Sequence, residues 1–182
     1  MINMNIFKDK NINLKTTICI LVLIMVISGF VGFIYETIFY KIDLGYWVKR
    51  GSSFGPWIPI YAVGGLLITL FSYPLKRRPW LVFIINCIVT GLLEYLTGYI
   101  LFEFFNTRLW DYNVEIWNWG NVNGYICFRS IATFGVSSLI LIYLLIPLLQ
   151  KMVQKISERK TIIISSILGI TFLLDILIYA IV

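Results

Sequence analysis

The chain alternates between long apolar segments and short polar ones, and this pattern predicts a series of membrane-crossing helices. Five apolar segments stand out, and they cover residues 16–40, 57–73, 80–105, 129–149 and 161–182. Each supplies roughly the 17–25 apolar residues that a helix needs to cross a hydrocarbon layer about 30 Å thick. Proline marks two of the boundaries: we expect Pro56 in the first turn of the second helix and Pro79 at the start of the third.

We therefore predict an all-α integral membrane protein with about five transmembrane helices. Residues 1–15 would form an N-terminal tail, and residues 16–182 a single helical domain in the membrane. The composition agrees, because 59% of the 182 residues are hydrophobic and 13% are charged, whereas soluble domains contain about 45–50% and about 25%. We expect the first helix to be retained, since the apolar region of a signal peptide is shorter, about 7–15 residues, and no small-residue cleavage site follows.

The distribution of basic residues predicts the orientation of these helices. Ten of the fifteen Lys and Arg residues lie in three polar segments, at residues 1–15, 76–78 and 151–160. Because cytoplasmic segments carry the excess of Lys and Arg, we expect the N-terminus in the cytoplasm and the C-terminus outside. This interpretation accounts for the formal charge of +6 with the lipid bilayer as the partner, and we expect no nucleic-acid partner.

Several kinds of catalytic and metal site have no support in the sequence. It contains no His, which removes zinc sites built on His and catalytic triads or dyads that use His as the base. Its three cysteines form no C-x-x-C motif. We expect no cofactor, and an enzymatic activity is less favoured than a binding or transport role.

Two carboxylates inside predicted spans carry the most information about function. Placing Glu36 or Glu94 near the centre of a membrane helix would cost about 2.5–3.5 kcal/mol, so such groups usually face the helix bundle or a cavity. Gly29 and Gly32 share a helical face with Glu36. Gly91 shares a helical face with Glu94. Small residues allow helices to approach closely, and we therefore expect both carboxylates to point inward.

We predict that these carboxylates line a polar pocket in the outer half of the membrane, capped by outer loops at residues 45–55 and 106–128. The candidate ligand-binding residues are Tyr35, Glu36, Arg50, Tyr61, Glu94, Tyr95, Asp111, Asn123 and Arg129. The carboxylates suit a cationic moiety and the guanidinium groups an anionic one. If the pocket holds a metal, Glu36, Glu94 and Asp111 would supply oxygen ligands, which favour Mg²⁺, Ca²⁺ or Mn²⁺.

A purely structural role for the same charges is the alternative. The two glutamates could form ion pairs with Arg50 and Arg129 and so hold the outer loops against the helices. Asp175, the acidic residue of the last apolar segment, is expected to make a structural or oligomer contact.

A series of short motifs resembles a known family. The motifs are Tyr35-Glu36, Arg50-Gly51, Gly55-Pro56, Pro59-Ile60-Tyr61, Glu94-Tyr95-x-Thr97-Gly98, Trp110-Asp111-Tyr112 and Asn123-Gly-Tyr-Ile-Cys127. In this order they resemble the bacterial family called putative ABC-transporter type IV, or CmpB-like ABC transporter permeases, over residues 28–147, with the last helix outside the shared pattern. One position departs: Ala62 follows Tyr61 where the family pattern has Gly. The resemblance implies a multi-pass transporter permease of the bacterial cell membrane.

The function that we expect is therefore a membrane transport component that binds a small polar solute or a lipid headgroup in its outer pocket. No G-x-x-x-x-G-K-[ST] motif is present, so any coupling to ATP would need a partner ATPase or another membrane subunit. Two alternatives remain. One is a scaffold or regulatory subunit whose polar residues only hold its loops. The other is a membrane-embedded enzyme that uses paired carboxylates on lipid or envelope intermediates of the outer leaflet.

Overall fold

The computed structural model describes Phe7 and residues 12–182, and these residues form a bundle of helices. Most of the predicted N-terminal tail, residues 1–6 and 8–11, lies outside the described residues. Helices account for 74% of the described residues, which contain no β-strand. The helices are α1 (Leu14–Leu44), α2 (Pro59–Ser72), α3 (Pro79–Phe105), α4 (Phe128–Lys155) and α5 (Glu158–Ile181).

Each predicted apolar segment corresponds to one helix, and the prediction of an all-helical membrane protein is confirmed. Four helices, α1, α3, α4 and α5, are long and apolar enough to cross a membrane. The fifth, α2, continues as a 3₁₀ turn at Tyr73–Leu75 and is shorter. The number of membrane crossings and the orientation of the chain stay predictions.

The start of α2 differs from the sequence prediction. The helix begins at Pro59, and Pro56 lies before it in the connecting loop. The reason is that Asp175 of α5 accepts hydrogen bonds from the backbone N–H of Gly55 (3.1 Å) and from Trp57 Nε1 (2.7 Å). These bonds hold the segment against α5 instead of in a helical turn. Pro79 starts α3 as predicted.

Successive helices run in opposite directions, so their connections lie at two ends of the bundle. One end, called here the loop end, carries the first loop (residues 45–58) and the long loop (residues 106–127). The other end, the turn end, carries the short connections at residues 76–78 and 156–157. The two long connections are thus available to form a site together.

The interior changes in polarity from one end of the bundle to the other. In the half near the turn end, the buried apolar residues include Ile20, Ile24, Ile68, Tyr73, Val82, Leu141, Ile142, Ile146, Leu149 and Val153. One buried pair in this half is hydrogen-bonded between helices: Ser72 Oγ of α2 donates to Asn86 Oδ1 of α3 (2.8 Å). In the half near the loop end, charged and tyrosine side chains occupy the interior. The functional chemistry is therefore to be sought at the loop end.

Helix α4 is interrupted by one π-helical turn at Leu141–Leu145. Pro147 lies two residues after this turn and has no N–H to donate to the carbonyl of Tyr143, four residues earlier. A π-turn next to such a gap lets the helix continue with changed hydrogen bonding. The Tyr143 hydroxyl donates to the backbone oxygen of Lys76 (2.8 Å), which ties this turn to the α2–α3 connection.

Glycines of α1 and α2 let these helices pack in direct contact. A Cβ added at Gly65 would overlap the side chain of Ser28, with the Ser28 Cβ only 2.7 Å away. A Cβ added at Gly64 would meet only ordinary van der Waals neighbours, the nearest at 3.8 Å. The two adjacent glycines of α2 therefore have different roles.

We predict that Gly65→Ala destabilises the protein and that Gly64→Ala does not. Overpacking a tight contact typically costs about 1–3 kcal/mol, whereas replacing a helical Gly by Ala without a clash gains about 0.5–1 kcal/mol. In the same detergent, the melting temperature (Tm) of Gly65→Ala should be lower than that of the wild type. The Tm of Gly64→Ala should equal or exceed it. A wild-type Tm for Gly65→Ala would contradict the close approach of α1 and α2.

Candidate functional site

A small cavity at the loop end is surrounded by ionisable side chains from four helices and the long loop. This charged cavity has a volume of about 20 Å³, which is room for about one water molecule. Its charged and tyrosine lining consists of Tyr35, Glu36 and Tyr40 of α1, Tyr61 of α2, Glu94 of α3, Tyr112 and Glu115 of the long loop, and Arg129 of α4. The cavity thus brings together five of the predicted site residues: Tyr35, Glu36, Tyr61, Glu94 and Arg129.

Glu36 forms an ion pair with Arg50 at one side of the charged cavity. Arg50 Nε donates to Glu36 Oε2 (3.1 Å), and Arg50 Nη2 donates to the backbone oxygen of Leu109 (3.1 Å). The guanidinium also lies over the ring of Tyr40, at 3.6 Å from its centre. Arg50 therefore joins α1, the first loop and the long loop.

Arg129 forms a second, more deeply buried ion pair with Glu115. Its Nη2 donates to Glu115 Oε2 (2.6 Å), and the exposed fractions of the two side chains are 11% and 4%. The other oxygen of Glu115 accepts a hydrogen bond from the hydroxyl of Tyr40. Arg129 also lies over the ring of Phe39, 3.9 Å from its centre. The alternative prediction paired the two intramembrane glutamates with the two arginines, and it is wrong for Arg129, because the long loop supplies Glu115 to it.

Among the described residues, Glu94 is the buried carboxylate that forms no ion pair. It is 5% exposed, and its Oε1 accepts a hydrogen bond from the hydroxyl of Tyr112. Its Oε2 has no hydrogen-bond partner among the described residues. Burial raises the pKa of the Tyr112 phenol well above its usual range, so this hydroxyl stays a donor.

A second, larger space opens beside the charged cavity and shares Glu36, Ile60 and Trp110 with it. This loop-end cleft has a volume of about 410 Å³. Its charged lining consists of Lys49, Arg50, Arg108 and Glu36, and its apolar lining includes Ile58, Val63 and Leu93. The lining of the cleft therefore combines an excess of positive charge with apolar side chains.

Three of the predicted site residues lie away from the charged cavity. Asp111 pairs with Arg108 (3.0 Å), and the backbone oxygen of Asn123 accepts hydrogen bonds from the same guanidinium. Tyr95 packs edge-on against Tyr125, with ring centres 5.6 Å apart, and so helps to brace the long loop on α3. The predicted oxygen ligands Glu36, Glu94 and Asp111 are not assembled, and the described residues contain no group of three His, Cys, Asp or Glu that could hold a metal ion.

Several residues of the site carry no signal that the sequence analysis used. Glu115 and Tyr112 come from the long loop, where no helical periodicity indicates which side chains turn inward. Lys49 and Arg108 are counted only as loop charges in the sequence. The position of Arg129 at the start of an apolar helix is the one available signal for Glu115. A guanidinium that is buried there requires an acidic partner, and the preceding loop can supply it.

We predict that Glu115→Gln destabilises the protein far more than Asp111→Asn. Breaking a buried ion pair typically costs about 3–5 kcal/mol, and Glu115 is the carboxylate that pairs with Arg129. The Arg108–Asp111 pair is 27% and 32% exposed, and such pairs are worth about 0–1 kcal/mol. Thermal unfolding followed by Trp fluorescence measures both, and equal losses in Tm would contradict the assignment.

The comparison with known proteins agrees with this architecture. One family model matches residues 22–180, and its family is described as putative ABC-transporter type IV. The match includes nearly all of α5, so the expectation that the last helix lies outside the shared pattern is wrong. No curated protein and no solved structure matches the chain. Because the family model covers most of the chain, this protein belongs to the putative ABC-transporter type IV family and is a membrane transport component.

Proposed function

We propose that this protein is the membrane subunit of a bacterial transport system and binds an anionic group in the loop-end cleft. The group would belong to a small polar solute or to a lipid headgroup. One observation carries the proposal: three cationic side chains line a single cleft of about 410 Å³, and Lys49 has no carboxylate partner among the described residues.

The charge balance of the cleft supports an anionic ligand. Arg50 is paired with Glu36, and Arg108 is paired with Asp111. The ammonium group of Lys49 lies over the rings of Phe54 (5.7 Å) and Tyr179 (5.6 Å), which attract a cation but do not neutralise it. These groups leave one positive charge without a counterion. A phosphate or carboxylate group would supply it through charge-assisted hydrogen bonds.

The size and the walls of the cleft suit a small amphiphilic molecule. Pockets of about 300–1,000 Å³ are usual for small ligands, and the loop-end cleft is of this size. Its apolar wall is formed by Ile58 and by Val63 and Leu93, which lie on α2 and α3. A lipid headgroup with its chain along this wall fits, and so does a small solute with an anionic and an apolar end.

We further propose that the protein is multi-pass in a bacterial cell membrane, with the loop end outside. The basic segments at residues 76–78 and 151–160 lie at the turn end, which supports a cytoplasmic turn end by the positive-inside rule. A partner ATPase, where one is used, would then meet the turn end. The chain would contribute ligand binding and the membrane path.

A scaffold or regulatory subunit is the second candidate, and two ion pairs between the loops and the helices favour it. Arg50–Glu36 and Arg129–Glu115 tie the two loops to the helices, as expected of charges that serve only the structure. In that case the loop-end cleft binds no anion. Substitutions of the residues that line the cleft would then leave co-purification with another membrane protein unchanged.

We predict that Lys49→Gln and Arg108→Gln each weaken anion binding. A hydrogen bond to a charged group is worth about 1.5–3 kcal/mol, so each substitution should raise the Kd about tenfold or more. Binding of glycerol 3-phosphate to the purified protein, and of phosphatidylglycerol in nanodiscs, tests the solute and the lipid separately. Thermal shift measures the first, and native mass spectrometry measures the second.

Lys41→Gln is the matched control for these variants. Lys41 lies near the same end of the bundle, but its Nζ donates to the backbone oxygen of Gly45 and it does not line the cleft. Its variant should bind both probes like the wild type. Glu36→Gln should bind them more tightly, because it frees Arg50 from its carboxylate. Unchanged affinity in the Lys49 and Arg108 variants would refute the proposed site.

A further inference from the structure

We propose that the carboxyl group of Glu94 is a proton-binding site, which holds one proton on Oε2 inside the charged cavity. A hydronium ion of the solvent loses one O–H bond and becomes water, the carboxylate oxygen gains an O–H bond, and the negative charge of the side chain is neutralised. No other bond changes. The site is distinct from the loop-end cleft, and a coupling of this proton to transport would rest on the proposed function.

The charges around the cavity show why a proton is needed there. Three carboxylates, Glu36, Glu94 and Glu115, face two guanidinium groups, Arg50 and Arg129, and each guanidinium already pairs with one carboxylate. One negative charge is therefore in excess. The other titratable groups that face Glu94 are tyrosines, Tyr35 of α1, Tyr61 of α2 and Tyr112 of the long loop, and these are neutral hydroxyl groups. Among the described residues, Arg129 is the one cation that lines the cavity itself, and Arg50 reaches it through its pair with Glu36.

Glu94 receives few hydrogen bonds for an ionised carboxylate. The Tyr112 hydroxyl donates to Oε1, and a neutral carboxyl oxygen can also accept this bond. Oε2 receives no hydrogen bond from the described residues, although an ionised carboxylate in a buried position normally requires several. Burying an unpaired charge costs far more than burying a neutral polar group. A proton on Oε2 removes this penalty without moving any side chain.

The proton can exchange through the loop-end cleft. The charged cavity shares Glu36, Ile60 and Trp110 with that cleft, and its volume of about 20 Å³ admits about one water molecule. We expect the proton to exchange through this space, because the cavity and the cleft share part of their linings.

Infrared spectroscopy of the full chain in dodecyl maltoside micelles, a detergent without a carbonyl group, tests the proposal. At neutral pH, the wild type should show the carbonyl stretch of a buried, protonated carboxylic acid, and this band should shift in D₂O. The band should be absent from Glu94→Gln. It should remain in Glu103→Gln, the matched control, because Glu103 lies on the same helix but at its exposed end, where it accepts a hydrogen bond from Tyr125 (3.0 Å).

A second measurement covers the possibility that the variant changes the fold. Gln is neutral and keeps an acceptor for Tyr112, so Glu94→Gln should have a Tm at least as high as that of the wild type. A group that binds its proton more tightly in the folded state contributes stability that is lost as the pH rises. The Tm of the wild type should therefore fall with rising pH relative to that of Glu94→Gln.

Three results would overturn the proposal. The first is a wild type without the carboxylic acid band between about pH 5 and pH 9, the range in which buried glutamates have been found to titrate. The second is a lower Tm of Glu94→Gln at every pH, which would mean that the ionised form is required. The third is a Tm that rises in NaCl but not in choline chloride while the band is absent, which would identify Na⁺ as the bound cation. None of these results depends on Lys49 or Arg108, so anion binding can succeed or fail separately.

Discussion

The ion pair between Arg129 and Glu115 is the interaction on which the rest of the loop end depends. Arg129 lies at the start of α4, and its guanidinium contacts Glu115 of the long loop and the ring of Phe39 of α1. A guanidinium between apolar helices is costly to bury without a carboxylate, so the long loop must fold back onto the bundle. This return brings Tyr112 to Glu94 and closes the charged cavity. One charge requirement therefore organises three separate segments.

The helices could be predicted because a membrane fixes both their length and their composition. The sequence indicates all five, and the differences lie at their boundaries. Pro56 stays outside α2 because Asp175, distant in sequence, holds the adjacent backbone and Trp57. Helix α4 continues past the predicted end at residue 149 to Lys155. The prediction followed the apolar residues, and a helix can extend beyond its apolar segment with polar last turns. Boundaries of this kind depend on tertiary contacts that local patterns do not contain.

Some residues of the candidate site could be predicted from the sequence, whereas others are brought to it only by the fold of the long loop. Glu36 and Glu94 could be predicted because a carboxylate in an apolar helix usually faces the interior of the bundle or a cavity. Asp111 follows Trp110 in a motif, yet its side chain pairs with Arg108 at the surface. Glu115, four residues later, is the acid that enters the interior. Which loop residue turns inward is decided by the path of the whole loop, and no periodicity records that path.

The π-helical turn of α4 determines how a single helix can serve both halves of the bundle. In a regular helix, Ser130 and Val153 would point in directions about 140° apart, because each residue advances the direction by about 100°. Both residues are nevertheless buried. The wider turn at Leu141–Leu145 takes up about one extra residue and removes most of this angular difference. Helix α4 thus consists of two α-helical parts that are rotated relative to each other about the helix axis. The length of the π-turn sets this rotation, and with it the direction in which Arg129 points relative to the buried residues of the apolar half.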